Sequence, residues 1–174
     1  MSTNLQFVKS ASTSSAVNEL KVENCFSDRY DTYKVILQVD SVTQEAGSSI
    51  RLIDNSNNTI SDSEYDFAYE FMRVGNGSYS AQGYTGQSHW NYTMYNEGTV
   101  GGFFVMYIYN PYNSSSYTFA HWQMATHYLA SSTSTFMARR AIGVHKVAEQ
   151  ITGISLIQGS TRIDGAKLSV YGVE

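Results

Sequence analysis

Period-two alternation is the feature that most restricts this chain. From Tyr33 to Asp40 the sequence "YKVILQVD" sets Tyr33, Val35, Leu37 and Val39 on one side and Lys34, Ile36, Gln38 and Asp40 on the other. Successive side chains of an extended backbone point to opposite faces, so this reads as a half-buried β-strand. "YDFAYEFMR" repeats the pattern, with Phe67, Tyr69 and Phe71 opposite Asp66, Ala68, Glu70 and Met72. "SIRLID" follows the first strand after a gap short enough for a hairpin. "VGGFFVMYIYN" is apolar on both faces, which predicts a central strand covered on both sides, ended by the Asn110-Pro111 step.

"YTFAHWQMATHYLA" and "STFMARRAIGVH" favour strand by their Thr, Tyr, Phe, Trp and His content. "KVAEQ" is too short for a stable helix. The chain closes with "ITGISLIQGSTRIDGAKLSVYGVE", two apolar strands at about Ile151–Ile157 and Ala166–Val173 around a polar turn. Residues 75–98 are the least regular and read as long loops with one strand around Trp90 to Met94. About ten short strands, one proline and no long helix predict an all-β fold, an antiparallel β-sandwich or jelly roll. With 174 residues there is room for one domain, placed at residues 21–174. Residues 1–20 read as an N-terminal arm, or a first strand and linker. Within them "LQFVK" looks like a strand able to add to a sheet edge of this subunit or a neighbour, which makes Leu5, Phe7 and Val8 candidate contacts with a partner or another subunit.

Composition narrows the function classes. Only 15% of residues are charged, the net charge is −4, and Ser, Thr, Asn and Gly fill the surface, which suits a protein packed beside copies or partners. That charge attracts no phosphate backbone, so no nucleic-acid partner is expected. No stretch of about 20 apolar residues is present and the first ten residues lack a signal-peptide core, so neither membrane insertion nor secretion is expected. Cys25 is the only cysteine and is expected as a small buried hydrophobe. The Asn57, Asn76, Asn91 and Asn113 sequons then read as products of Asn/Ser-rich loops.

Searches for chemistry find little. The acidic loop "DNSNNTISDSEYD" fails the EF-hand template, with Thr59 where glycine is needed and Tyr65 where the bidentate acid belongs. It reads as a solvated loop. His89, His121, His127 and His145 are scattered and no zinc motif joins them. No catalytic residues, cofactor or metal are predicted, and the protein is expected not to be an enzyme. The dense aromatics of "SYSAQGYTGQSHWNYTMY" pose two alternatives: Tyr79, Tyr84, Trp90, Tyr92 and Tyr95 either meet a glycan or partner, or pack a core or subunit interface.

Two segments carry a resemblance. "VENCFSDRYDTYKVILQVDS", with its Tyr-x-x-Tyr-Lys-Val strand, and the closing "ITGISLIQGSTRIDGAKLSVYGVE" resemble small jelly-roll virion surface proteins of tailed bacteriophages, marine ones above all. "SIRLIDNSNNTISDSEYDFAYE" fits the same pattern, so the likeness runs from about Lys21 to the end. It implies a virion structural protein made in the host cytoplasm. The implied role is a capsid decoration, or cement, protein that bridges subunits of the major capsid protein as a homo-oligomer such as a trimer. The alternative is a tail fibre or receptor-binding protein that recognises host surface glycans.

Overall fold

The structure, a computed structural model, describes residues 4–39, 42–74, 77–98, 102–130, 133–158, 163 and 165–174, with side chains outside 42–47, 92–98, 128–130 and 133–135. The described residues form twelve strands and no helix: β1 Leu5–Thr13, β2 Glu19–Val22, β3 Thr32–Val39, β4 Val42–Asp54, β5 Tyr65–Arg73, β6 Tyr79–Gln87, β7 Trp90–Gly98, β8 Gly102–Tyr109, β9 Thr118–Ala130, β10 Thr133–His145, β11 Ile151–Gln158 and β12 Ala166–Val173. They make two antiparallel sheets. The larger has the order β1-β12-β3-β8-β9-β10-β5-β6 and the smaller β2-β11-β4-β7. The protein is an all-β sandwich.

The alternation seen in the sequence builds the core between the sheets. Tyr33, Val35, Leu37 and Val39 of β3 are buried, together with Phe104, Met106 and Ile108 of β8 and Ala120, Trp122 and Met124 of β9. From the smaller sheet Ile50 and Leu52 of β4 and Ile154 and Leu156 of β11 face them. Residues paired side by side share a face, so each buried set faces inward as a block and its alternate set faces outward.

Several expectations need correction. β3 and β4 are not a hairpin, because β3 belongs to the larger sheet and β4 to the smaller. β8 is covered on one face only: Phe103 is exposed, and Val105, Tyr107 and Tyr109 are partly so. Residues 75–98 hold two strands, β6 and β7, in different sheets. β6 is an edge strand of Gly, Ser, Gln and Tyr, with most residues exposed, so it lacks the apolar alternation by which strands are read. Backbone pairing with β5 holds it in place.

Residues 4–20 are folded into the sandwich. β1 pairs antiparallel with β12 along its length, with a bulge between Phe7 and Lys9, Val17 bridges Ile163, and β2 is an edge strand of the smaller sheet. Phe7 is 61% exposed, Leu5 is also exposed, and Val8 turns inward to pack on the core. Cys25 is buried, with its Sγ 3.2 Å from the Val22 carbonyl.

Candidate functional site

The outward face of the larger sheet collects side chains from distant parts of the chain. In register across all eight strands run Phe7, Tyr171, Lys34, Tyr107, His121, Ile142, Ala68 and Gly83. Neighbours in this row touch. Phe7 meets Tyr171 edge-on at 5.7 Å, the Lys34 ammonium lies 5.8 Å from the Tyr107 ring centroid, and Tyr107 stacks on His121 at 5.1 Å. The Tyr109 hydroxyl is 2.9 Å from His121 Nδ1, so the imidazole is held from two sides. Burial and the neighbouring Tyr107 raise the Tyr109 pKa above its usual value, so this hydroxyl stays protonated and able to donate.

An adjacent row brings Val105, Gln123, Arg140, Glu70 and Ala81 together. Arg140 donates through Nε and Nη2 to Glu70 Oε1 at 2.8 and 2.6 Å, and the Tyr79 hydroxyl donates to the other carboxylate oxygen. Tyr79 and Arg140 together hold the Glu70 carboxyl below the usual range, and the same contact raises the Tyr79 pKa. Glu70 is therefore an ionised acceptor, unsuited to donating a proton.

Small residues shape this surface. Ala68, Ala81 and Gly83 form the floor of an open groove of about 890 Å³, rimmed by Glu70, His121, Gln123, Arg140 and Ile142. A second hollow of about 650 Å³ continues past Tyr84, Tyr109 and Phe119. Around these lie exposed apolar side chains: Ile142 at 64%, with Phe103, Phe119 and Met72 also exposed. The face therefore offers aromatic and aliphatic contact area with a few fixed polar groups.

The five aromatics singled out in residues 75–98 do not converge. Tyr79, 63% exposed, belongs to this outer face. Tyr84 stacks on Phe67 at 4.9 Å and lines one end of the second hollow. Trp90 is 0% exposed, set between Tyr65 and Trp122 with ring centroids 5.4 and 6.1 Å away, so as a glycan contact it is a misassignment. It begins β7 of the other sheet, and its indole fills the core. Tyr92 and Tyr95 are also in β7, with side chains outside the described residues. Of the arm residues, Phe7 and Leu5 extend the outer face at its β1 edge, and Val8 does not.

Tyr107, Ile142 and Arg140 carry no functional signal in the sequence, where His121 reads as one of four scattered histidines, because only the strand register joins them. The acidic loop is likewise redistributed. Asp54 accepts backbone hydrogen bonds from Ser56 and Asn58, both at 2.8 Å, closing its own turn, and Asp66 pairs with Lys146 at 2.8 Å. Glu64 instead approaches His145, with Nε2 and Oε2 3.1 Å apart.

No protein-family model matches the chain, and no characterised protein matches it by sequence. Among solved structures, the marine PL-14 alginate lyase from Aplysia kurodai aligns over 97% of this chain and 99% of its own, at 7% identity and a TM-score of 0.40. A structure of infectious bursal disease virus, Gt strain, aligns over 97% of this chain and 41% of its own, at 11% identity and a TM-score of 0.15. At these scores neither likeness bears on what this chain does.

Proposed function

We propose that this protein is a non-enzymatic structural component of a bacteriophage virion, a decoration protein that docks on the major capsid protein through the outer face of its eight-stranded sheet. The observation that carries this reading is the set of exposed apolar side chains there, Phe103, Phe119, Ile142 and Met72 on four neighbouring strands. Large exposed apolar patches on soluble proteins mark contact surfaces. The low charge of the chain, at 15%, fits a surface that is covered in use. The resemblance to phage surface proteins supplies the setting. Several copies joined as a homo-oligomer would bind a lattice far more tightly than one copy, without any new contact.

Capsids lacking this protein, mixed with purified protein and sedimented, test the proposal. Phe103→Asp combined with Ile142→Asp should abolish co-sedimentation while leaving the melting temperature close to wild type, since both side chains face outward. Undiminished binding by the double variant would overturn the docking face.

A second reading is favoured by one observation, the groove with a floor of small residues and a rim of His121, Gln123, Arg140 and Glu70. Such a trough suits an extended glycan, with the adjoining aromatic rings as stacking surfaces and the polar rim as hydroxyl partners. A glycan array run with wild type and Gly83→Tyr separates the two. Sugar binding lost in the groove-filling variant supports receptor recognition; the absence of binding to every glycan removes that reading.

A further inference from the structure

We propose that Glu64, His145 and Glu149 form a binding site for a divalent transition-metal cation, with zinc the best match to the ligand set. The three come from separate segments: Glu64 from the residue before β5, His145 from the last position of β10, and Glu149 from the link to β11. His145 Nε2 lies 3.1 Å from Glu64 Oε2 and 3.6 Å from Glu149 Oε1, and the three ligand atoms all fall within 4.8 Å of one another. Zinc bonds to nitrogen and carboxylate oxygen are about 2.0–2.2 Å, which puts neighbouring ligand atoms of a tetrahedral site roughly 3.4 Å apart. The two histidine distances bracket that value. Three protein ligands leave the fourth position for water or a ligand from a partner.

The site is built rather than incidental. The His145 side chain is 0% exposed and its ring packs against Tyr65 at 4.9 Å, so Nε2 is fixed in its aim between the two carboxylates. Its Nδ1 is buried with no hydrogen-bond partner among the described residues. Backbone hydrogen bonds hold the surroundings, with the Lys146 N–H donating to the Glu64 carbonyl at 2.9 Å.

Two carboxylates converge on the one imidazole nitrogen. The nearby Lys146 is already paired with Asp66. An imidazole nitrogen with only two carboxylates suits zinc better than calcium, which takes six to eight oxygens.

The test uses the whole protein, stripped with EDTA and titrated with ZnCl2, CaCl2 or MgCl2 by calorimetry and thermal melting. Zinc should bind at one equivalent and raise Tm in a concentration-dependent way, with little response to calcium or magnesium. Glu149→Gln should weaken zinc binding at least tenfold and, without metal, melt at or above the wild type because a crowded carboxylate is gone. That separates a lost ligand from a failed fold. A wild type indifferent to zinc overturns the site. So does a zinc response equal in Glu149→Gln, which would place the ion on other histidines, or a calcium response matching that of zinc.

Discussion

At Gly143 the absence of a side chain allows two tryptophans to meet. A Cβ there would lie 2.6 Å from Trp90 Nε1 and 3.0 Å from Trp122 Cζ3, closer than packed atoms approach. Gly143→Ala should cost about 1–3 kcal/mol in urea denaturation, the usual scale for overpacking. In a double-mutant cycle with Trp90→Leu the two costs should fall short of additive, because the smaller side chain relieves the clash. Cys25 makes an equally local prediction. Burial pushes its thiol up to about 12, so no thiolate forms near neutrality. Maleimide should label it only after denaturant is added, and labelling of the native protein would contradict the burial. The sequence announced Cys25 correctly as a buried hydrophobe, whereas Trp90 was left between a glycan contact and the core. A tryptophan among Gly, Gln and Asn looks the same in sequence whether it points outward or lies under a glycine of another strand.

Among the elements, strands with strong alternation were legible and those without it were not. β3 and β5 show their inner faces in their sequences, and β9 was legible as a strand by its Thr and aromatic content. β6 does not show its inner face, since an edge strand needs only backbone partners. Sheet membership was hidden as well: β3 and β4 are close in sequence but lie in opposite sheets. The lower end of β5 carries a pH prediction. The Lys146 ammonium, bonded to Asp66, holds that carboxyl below the ordinary 3.8, helped by the Gly86 N–H. A depressed acid stabilises the fold above its unfolded pKa, and the contribution fades as pH falls through the folded value. Urea midpoints should therefore drop on acidification below about pH 4, and Asp66→Asn should flatten that part of the profile. An unchanged slope in the variant would show that the pair contributes nothing, as exposed pairs sometimes do.

For the molecule as a whole, the outer row from Phe7 to Gly83 brings together positions that no local pattern connects. Register is a property of the folded sheet, so a site made by register stays invisible until the strands are ordered. The same holds for Glu64 and His145, joined only because β10 pairs with β5.

One further property follows from the pairing of β1 with β12. Leu5 stands opposite Val173, and the Glu174 N–H donates to the Asn4 carbonyl at 3.2 Å, so the start of β1 and the end of β12 lie at one corner of the sheet. Tension applied between these ends opens the β1–β12 ladder like a zipper, loading its hydrogen bonds one at a time. Tension applied between Thr13 and Glu174 instead pulls along the strands and loads the bonds together. In an optical trap the first geometry should yield at distinctly lower force than the second, making resistance to pulling a matter of where the molecule is held.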